Sequence, residues 1–387
     1  MTGLSGKYSI VGIGETALDK AEPGNTGLTT QARAAQIAMR DAGLKPGDID
    51  GVIAHWGDKA ASLAVIEYLG LSPSYTDSTL VGGQSSLTHL AHAAAAIEAG
   101  LCNTVLITYG STQRSDRSRN IGGLEVDERS PNSQFIRPYG MVSPIGFAAM
   151  LAQLHQHHYG STAEDLGEIA IAARKWAALN PNAAVSEPLS MEDYLASPVI
   201  CDPLRKLDIC KVTDGAGAVI VTSAERARDL AQKPVHLLGH ADHYTRFNTP
   251  LDVTDWLENG IVAGLTERAL GMAGLDRDGI DLVQIYDAFT INVLNDLEET
   301  GFCARGEAGD FVRGGRIAPG GAFPMNTSGG GLSFNHPGMF GIHLLLEAIG
   351  QLRGSCGDRQ INGVKNCMLR AGGFVFAANN VTVLGTE

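Results

Sequence analysis

Three loops of this 387-residue chain combine residue types that can move protons or hold a negatively charged oxygen. Tyr286 follows directly on the strand-like run 281–285, and His336 lies in a glycine-rich loop just before a helical stretch. Gly83 precedes an alanine-rich helical stretch, and the first N–H groups of a helix lack intrahelical partners and can bind an anionic oxygen. A single Tyr or His is more often structural than catalytic, but three such loops at equivalent edges of one fold favour a catalytic Tyr–His pair.

The residue types in these loops suggest different parts in one reaction. Tyr286 has an ordinary pKa of about 10, so it acts as an acid or base only if its pKa is lowered or if it relays a proton. A histidine side chain ordinarily titrates close to neutral pH, so His336 is expected to be the better base or oxyanion donor, although the sequence leaves open which of the two is the base. Asp287 completes the candidate catalytic set and is expected to orient the Tyr286 loop. The candidate oxyanion and substrate-binding residues are Gly83, Gln84, Ser85, Gly330 and Gly373.

A glycine motif near the N-terminus has a weaker chemical interpretation. Gly12-x-Gly14-x-x-Ala17 follows a strand-like run and matches the minimal dinucleotide-binding fingerprint. That fingerprint requires a helix to start at once, so that the helix N-terminus faces the pyrophosphate. Pro23 lies where this helix would run. A strained turn is therefore favoured over a nucleotide site.

A histidine run in the middle of the chain could suggest a metal. His155, His157 and His158 stand close together, but no carboxylate or Cys lies at ligand spacing from them. A solvated helix end is the favoured interpretation. The sequence also contains no Gly-x-Ser-x-Gly elbow and no Walker loop, so serine hydrolysis and nucleoside triphosphate chemistry have no support. We expect neither a metal nor a resident cofactor.

The composition limits the classes of partner. The 29 Lys and Arg against 42 Asp and Glu give a formal charge of −13, which argues against nucleic acid or an anionic membrane as the main partner, because both need a basic surface. No window approaches the roughly 18 unbroken apolar residues of a membrane helix, and no signal peptide is recognisable. The six Cys lack CxxC spacing, which disfavours a zinc ribbon and a disulfide framework. We expect a globular, cytoplasmic protein.

A sequence pattern occurs twice and explains why the loops are equivalent. Residues 38–52 and 269–283 each contain a helical stretch that ends in Ala-Gly-Leu, followed after four residues by Ile-Asp-x-Val. The internal spacing is identical in the two copies. A glycine after a helical stretch is typical of a helix C-terminus, and the Ile-Asp-x-Val run predicts a strand. The chain is therefore expected to be internally duplicated.

A second unit follows the first in both copies. The helical stretches 89–100 and 338–353 are each preceded by a glycine-rich loop and followed by a strand-like run. The alternation of strands and helices predicts an α/β fold with mostly parallel sheets and helices on their faces. We predict a first half over residues 1–230, with an insertion at about 112–200 that has no counterpart, and a second half over residues 231–387.

These features resemble the thiolase superfamily over essentially the whole chain. The resemblance implies a duplicated thiolase-like fold, with two mixed, mostly parallel sheets in a layered α/β/α/β/α arrangement and a loop-domain insertion. The motifs that look most like the sterol-carrier-protein-X-type thiolases and the thiolase-like aldolases are Asp214-Gly215-Ala216-Gly217-Ala218, Tyr286-Asp287-Ala288-Phe289-Thr290, Gly301-Phe302-Cys303-x-x-Gly306-Glu307 and Pro324-Met325-Asn326-Thr327-x-Gly329-Gly330.

The resemblance also shows where this chain departs from true thiolases. The nucleophilic Cys that opens the first-half helix in thiolases corresponds to Gly83, with no Cys nearby. The second thiolase Cys should fall near Arg370, and Cys367 is three residues early on the same predicted strand. The Asn of the family's Asn-Glu-Ala-Phe motif corresponds to Tyr286, whereas the His of its Gly-His-Pro motif is retained as His336.

The thiolase-like steroid aldolases combine Gly at the nucleophile position with Tyr in the Tyr-Asp-x-Phe motif, as this chain does, but they carry a second Tyr where this chain has His336. The resemblance implies retro-aldol cleavage of a β-hydroxyacyl-CoA, with a steroid or other bulky side chain, to a ketone or aldehyde plus a shorter acyl-CoA. The CoA thioester is the substrate and no cofactor is implied. Two alternatives stay open: a thiolase-type acyltransferase that uses Ser85, Cys102 or Cys367 as nucleophile, and a non-catalytic acyl-CoA-binding or scaffold subunit.

The family resemblance also implies partners. Thiolases form homodimers through the edge of the first-half sheet, here expected at residues 103–109. Members of this branch often work with a small OB-fold and zinc-ribbon protein, so a heterotetramer with such a protein is expected. The CoA phosphates need local cations, and the candidates in the insertion are Arg114, Arg117, Arg119 and Arg137.

Overall fold

The computed structural model describes residues 3–16, 19–55, 60–118, 128–141, 143–245, 256–257, 259–374 and 376–386. Their strands are β1 Tyr8–Thr16, β2 Gly51–His55, β3 Tyr75–Asp77, β4 Thr104–Ser111, β5 Val199–Cys201, β6 Leu204–Arg205, β7 Gly215–Ser223, β8 Val235–Tyr244, β9 Leu282–Ile285, β10 Asn366–Gly373 and β11 Ala378–Gly385. Their α-helices are α1 Gly27–Ala42, α2 Ala61–Leu69, α3 Ser85–Glu98, α4 Pro131–Phe135, α5 Pro144–Tyr159, α6 Ala163–Ala177, α7 Met191–Ala196, α8 Ala224–Ala227, α9 Ile261–Ala273, α10 Thr290–Glu299, α11 Ala308–Val312 and α12 Gly341–Arg353. None of these helices is long and apolar enough to cross a membrane.

Nine of the strands pair in the order β3-β2-β4-β7-β1-β8-β11-β10-β9. The sheet is mixed, as predicted. Its parallel pairs lie toward the two ends, where β2 pairs with β3 and β4, and β10 pairs with β9. The pairs between them are antiparallel. The first-half and second-half strands, predicted as two sheets, are joined by a short contact of β1 with β8 in which Ser9 opposes His236 and Ile10 opposes Val235.

The helices form layers around these strands, which confirms the predicted α/β class. α1 packs on β1, β4 and β7, and α9 packs on β8 and β11, so each half has an outer helix. α3 and α12 contact each other and also strands of both halves. The buried core between the halves includes Leu87 and Leu90 of α3 together with Leu345 and Ile349 of α12. The N-terminal ends of these two central helices therefore lie at the junction of the halves.

The repeated Ile-Asp-x-Val pattern has the same structural role in both halves. The Asp50 carboxylate accepts hydrogen bonds from the backbone N–H groups of Asn103 and Thr104 at the start of β4. The Asp281 carboxylate accepts from the N–H groups of Lys365 and Asn366 at the start of β10. Each Asp thus satisfies N–H groups at the beginning of the neighbouring parallel strand, so the duplication extends to individual hydrogen bonds.

The Gly12-x-Gly14 motif lies inside β1, so the predicted strained turn is wrong. A Cβ atom on Gly12 would lie 2.4 Å from the Ala38 carbonyl oxygen, and one on Gly14 would lie 2.1 Å from the Ala34 carbonyl oxygen. Both distances are far inside van der Waals contact. The glycines allow α1 to lie directly on β1. Ala17, the last residue of the motif, lies outside the described residues.

The expected position of the first-half sheet edge is also wrong. Residues 103–109 belong largely to β4, which pairs with β2 on one side and with β7 on the other. The strand at that end of the sheet is β3, Tyr75–Asp77, which pairs with β2 alone among the described residues. The open hydrogen-bonding edge of the first half therefore belongs to β3.

The insertion begins where a buried carboxylate ties three segments together. Asp214, just before β7, accepts hydrogen bonds from the N–H groups of Arg114 and Ser115 at 2.9 and 3.1 Å and from the N–H of Ala21 at 2.7 Å. The long helices α5 and α6 lie within the predicted insertion. The predicted boundary between residues 230 and 231 lies between α8 and β8 and stays a prediction.

Candidate active site

Tyr286 and His336 lie against each other, as the sequence predicted for a catalytic pair. Tyr286 is the first residue after β9, and its backbone N–H bonds to the Arg370 carbonyl of β10 at 2.9 Å. This bond continues the β9–β10 pairing and fixes the start of the side chain. The Tyr286 hydroxyl lies 3.0 Å from the His336 Nε2 atom, and only 8% of Tyr286 and 3% of His336 is exposed.

A second hydrogen bond fixes the phenol oxygen. The backbone N–H of Phe340, the residue before α12, donates to the Tyr286 Oη atom at 3.0 Å. A donor to this oxygen favours negative charge on it. The Tyr286 proton can therefore pass to the His336 Nε2 atom while the oxygen stays hydrogen-bonded. The Phe340 ring packs edge-on to Tyr286 and stacks on the His336 ring, so both rings are held in place.

Gly83 makes room for the tyrosine. A Cβ atom on Gly83 would lie 2.5 Å from the Tyr286 Cε2 atom and 2.7 Å from its hydroxyl oxygen. Any side chain at position 83 would collide with the phenol ring. The Tyr286 ring therefore occupies the space that a side chain at position 83 would need. A thiolase-type Cys at this position is incompatible with the observed position of Tyr286.

Backbone from the two halves meets beside Gly83. A Cβ atom on Gly373, at the end of β10, would lie 2.1 Å from the Val81 carbonyl oxygen and 3.1 Å from the Gly82 Cα atom. Gly82 has a φ of +80°, which favours glycine. Gly83 and Gly373, predicted as backbone donors to an oxyanion, thus lie on neighbouring segments, of which the one with Gly83 contacts Tyr286.

The two polar residues after Gly83 are engaged in the start of α3. The Ser85 hydroxyl donates to the Gly82 carbonyl at 2.7 Å and accepts from the Val81 N–H at 2.9 Å. Gln84 is buried, and its amide nitrogen lies 3.4 Å from the Thr88 hydroxyl. The Ser85 hydroxyl therefore caps a buried loop, and its hydrogen-bond partners within the described part of the chain are backbone groups and not an activating base.

Asp287 holds the loop that carries His336. Its carboxylate accepts from the backbone N–H of Gly331 at 2.7 Å and from that of Leu332 at 3.3 Å, in a one-turn π-helix over Gly330–Phe334. Burial raises the pKa of Asp287 to about 8, against the opposing effect of these two donors. A Cβ atom on Gly330 would lie 2.0 Å from the Asp287 Oδ2 atom. Gly330 therefore accommodates Asp287, and the carboxylate orients this second loop.

The cysteines proposed as alternative nucleophiles lie away from this site. Cys367 is the second residue of β10, and Gly373 is the last. Six residues of strand place them roughly 20 Å apart. Cys367 is fully buried, and burial raises its thiol pKa well above the ordinary value. Cys102 is buried before the start of β4, and burial raises its pKa to about 11. The geometry provides neither a thiolate nor access for substrate at either position.

Three side chains that sequence reasoning missed hold the His336 loop. The Tyr109 hydroxyl, at the end of β4, donates to the Pro337 carbonyl at 2.5 Å and accepts from the Met339 N–H at 3.1 Å. Thr213 and Asn335 support the other side of the loop. The only signal in the sequence was that Tyr109 ends a strand next to Gly110-Ser111.

The prediction of a solvated histidine run is wrong for its first member. His155 is 1% exposed, and its Nε2 atom lies 3.2 Å from the Glu298 carboxylate in α10. His157 and His158 lie in the last turn of α5. No group of three His, Cys, Asp or Glu side chains able to hold a metal occurs in the described ranges.

Comparison with known proteins finds relatives that match nearly the full length of this chain. The thiolase C-terminal domain-like family matches residues 251–386. The 17-hydroxy-3-oxo-4-pregnene-20-carboxyl-CoA lyase of Mycobacterium tuberculosis is 35% identical over 383 residues, which are 95% of this chain and 97% of that protein. The steroid side-chain-cleaving aldolase of Thermomonospora curvata is 33% identical over 384 residues, 96% of each chain.

A solved structure agrees with these relatives over the full length. The Ltp2-ChsH2(DUF35) aldolase superposes with a TM-score of 0.88 and 32% identity, covering 99% of this chain and 98% of the matched chain. The similarity therefore includes both halves and the insertion between them.

Proposed function

The chain belongs to the thiolase superfamily, in the branch of the steroid side-chain-cleaving aldolases, and from this premise we propose that the Tyr286–His336 pair carries out the proton transfers of its reaction. The chain is a carbon–carbon lyase, and its reaction is the retro-aldol cleavage of a β-hydroxyacyl-CoA. The observation that carries the proposal is the 3.0 Å contact of the Tyr286 hydroxyl with His336, beside Gly83 at the position that corresponds to the thiolase nucleophile.

The reaction needs one base and one acid and consumes nothing else. The base removes the proton of the β-hydroxyl group, the C–O bond becomes a carbonyl, and the bond between the α- and β-carbons breaks. Its electron pair forms the enolate of the shorter acyl-CoA, which is then protonated on the α-carbon. A Tyr–His pair that shares one proton can accept it from the hydroxyl and return it to the carbon. General acid–base catalysis of this kind typically contributes about 10²- to 10⁴-fold.

The first-half loop and the end of β10 can stabilise the enolate oxygen. Gly83 lies beside Tyr286, Gly373 lies on the adjoining backbone segment against Val81 and Gly82, and α3 begins two residues after Gly83. Backbone N–H groups at such a place are the donors that oxyanion sites use. Because no acyl group is transferred to the enzyme, no nucleophilic side chain is required. This agrees with Ser85, whose hydroxyl is hydrogen-bonded to the Val81 and Gly82 backbone.

The proposed substrate is a CoA thioester with a bulky, steroid-derived acyl group and a tertiary or secondary β-hydroxyl. The names of the relatives from Mycobacterium tuberculosis and Thermomonospora curvata support this class. The proposed chemistry needs no cofactor and no metal. Of the arginines proposed to bind the CoA phosphates, Arg114 pairs with Asp19 and Arg119 lies outside the described residues.

We further propose two kinds of protein partner. The matched aldolase structure is named for a second component, ChsH2(DUF35), beside Ltp2, which supports a complex of this chain with a small OB-fold and zinc-ribbon protein. A homodimer across the open edge of β3 would give a heterotetramer with two copies of each chain. A small basic partner would also supply cations for the CoA phosphates, which this chain of charge −13 needs.

The test is turnover of a panel of β-hydroxyacyl-CoA and β-ketoacyl-CoA thioesters with and without free CoA, followed by mass spectrometry. We expect cleavage of a β-hydroxyacyl-CoA without added CoA, by the chain purified with its small partner. His336→Ala should reduce kcat by about 10²-fold or more. Cleavage of β-ketoacyl-CoA alone, and only with free CoA, would overturn the lyase. Unchanged turnover of the His336→Ala variant would overturn the role of the histidine.

A further inference from the structure

A continuous series of hydrogen bonds leads from the partly exposed Glu15, near the end of β1, through buried side chains to the backbone of His336. The Glu15 carboxylate lies 2.8 Å from the His343 Nδ1 atom in the first turn of α12. The His343 Nε2 atom lies 3.2 Å from the Asn335 side-chain nitrogen. The Asn335 side-chain oxygen is hydrogen-bonded to the Thr213 hydroxyl. That hydroxyl oxygen accepts the backbone N–H of His336 at 2.9 Å.

The donors and acceptors in this series run in one direction. The His336 N–H donates to the Thr213 hydroxyl, which donates to the Asn335 carbonyl oxygen. The Asn335 amide donates to the His343 Nε2 atom, which must therefore be an acceptor with its ring proton on Nδ1. That proton faces the Glu15 carboxylate. A carboxylate at the end of the series gives it a fixed polarity, because each donor polarises the next.

The series consists mainly of buried polar side chains, which apolar residues could replace if their role were only to fill the core. Thr213, Asn335 and His343 are each at most 1% exposed, and burial of polar groups is tolerated only when they are hydrogen-bonded. Thr213 binds His336 twice, because its own N–H also donates to the His336 carbonyl at 3.4 Å. The peptide that carries the imidazole is therefore fixed on both sides by one residue.

Ring stacking connects the same series to the catalytic side chains. The His343 ring stacks on Phe340 with centroids 5.7 Å apart, and Phe340 stacks on the His336 ring at 6.1 Å. Phe340 also donates its N–H to the Tyr286 hydroxyl. A shift of His343 would thus move both the imidazole and the donor to the phenol oxygen.

We propose that Glu15 and His343, acting through Asn335 and Thr213, are positioning residues that hold His336 at its working distance from the Tyr286 hydroxyl. This inference rests on the proposed function, in which His336 handles the proton. It assigns catalytic importance to a carboxylate on β1 and a histidine on α12 that do not themselves touch the reacting pair in the described structure.

The direct test compares isosteric and conservative variants at Thr213 in the complex with its small partner. Thr213→Val removes the hydroxyl and is expected to lower kcat about tenfold to hundredfold with little change in KM, since small displacements of catalytic groups have effects of this size. Thr213→Ser keeps the hydroxyl and should retain most of the activity. Thr266→Val is the matched control, because the Thr266 hydroxyl is also buried but donates to the Val262 carbonyl of its own helix, α9.

The far end of the series is tested at Glu15. Glu15→Gln keeps an oxygen acceptor for the His343 ring proton, whereas Glu15→Leu leaves that buried donor unsatisfied. We expect the order wild type, Gln, Leu in decreasing kcat. Equal kcat for all three chains would overturn the proposal at this end of the series.

A double-mutant cycle separates positioning from general structural damage. Thr213→Val should have little further effect on the residual turnover of His336→Ala, because it acts through that histidine. Multiplicative losses would overturn the proposal. Amide hydrogen exchange at His336 gives a readout without substrate and should accelerate in Thr213→Val but not in Thr266→Val. Unaltered exchange would overturn the proposal even if no substrate is cleaved, whereas failure of the wild type to cleave any thioester would count against the proposed function alone.

Discussion

The two halves of the molecule share one fold but contribute opposite features to the site. The first half supplies Gly83, where the absence of a side chain leaves space for the phenol ring, and Gly82, where it allows close contact with the Gly373 backbone. The second half supplies Tyr286 and His336, whose side chains meet within hydrogen-bonding distance. A duplicated scaffold thus places two sets of loops at one junction. One set functions through its backbone, and the other functions through its side chains.

Away from the site the halves have stayed alike. Asp50 and Asp281 each cap the start of a parallel strand with the same kind of backbone hydrogen bonds. Gly12 of β1 and Gly239 of β8 each allow close contact with the outer helix of their half. Positions that hold strands and helices together follow the repeat, whereas positions at the junction differ according to the chemistry.

Removing the phenol hydroxyl should have the largest effect. Tyr286→Phe keeps the ring against Gly83 but removes the atom that contacts His336 and accepts the Phe340 N–H. We expect kcat for the β-hydroxyacyl-CoA to fall by about 10²- to 10⁴-fold with the melting temperature little changed. Rates measured by single-turnover quench would decide this, and retention of more than half of the wild-type kcat would place the chemistry elsewhere.

Adding one carbon to the first-half loop should break the complementarity between the halves. A Cβ at position 83 would lie 2.5 Å from the Tyr286 ring, so Gly83→Ala must displace the ring, and a displacement of about 1 Å can cost about 10²-fold in rate. Gly264→Ala is the control, because the Cβ of Gly264 in α9 would meet nothing within 4 Å. Full activity in Gly83→Ala would show that the ring tolerates a side chain there.

The buried Asp287, which holds the second-half loop, should make the stability of the folded chain depend on pH. Burial raises its folded pKa to about 8, so the neutral form is favoured in the folded state. Its contribution to stability is therefore fully present below about pH 4 and is lost as pH rises toward 8. Asp287→Asn should remove this loss.

Urea unfolding of wild type and Asp287→Asn at pH 5 and pH 8 measures the difference. The variant should gain stability relative to wild type between the two pH values, by at most about 4 kcal/mol. Parallel pH profiles for the two chains would show that the carboxylate is ionised in the folded state across this range. The same variant should also move the His336 loop, because an amide supplies an N–H group where one backbone donor now points.

The smallest effect is expected for the cysteine in the second half. Cys367→Ala removes a buried thiol roughly 20 Å from Gly373 along β10. We expect unchanged kcat and a loss of about 1 kcal/mol in the free energy of unfolding from the small cavity. Intact-mass spectra taken during turnover should show no acylated protein in either chain. An acyl adduct on wild type that disappears in the variant would restore the acyltransferase alternative.

The sequence predicted the duplicated fold and the Tyr–His contact because both follow from a spacing pattern that recurs in the two halves. The recurrent spacing of Asp50 and Asp281 reflects repeated strands, and loops after parallel strands meet at one edge. The helix ending at Gly43 was predicted from a glycine that indeed adopts a φ of +72°. These features depend on local sequence or on a repeat.

Other features depend on contacts that no local pattern encodes. Gly12 was predicted to lie in a turn because the sequence alone does not distinguish a glycine required for close helix contact from a glycine required for a positive φ. His155 looked exposed because its partner Glu298 is distant in sequence. The support of His336 draws on Glu15 and Thr213, which neither neighbour it nor form a recognisable motif. Such pairings become visible only when the halves are placed together.

The hydrogen bond between Glu15 and His343 joins residues 328 positions apart, and this separation has a consequence for synthesis. At about 5 to 20 residues per second, roughly 16 to 66 s pass between the addition of Glu15 and the addition of His343 to the growing chain. During that interval the first half has neither α12 nor the loop that α12 supports. Until translation is nearly complete, the nascent chain exposes the face of α3 that α12 will cover, and this face is where a chaperone would be expected to bind.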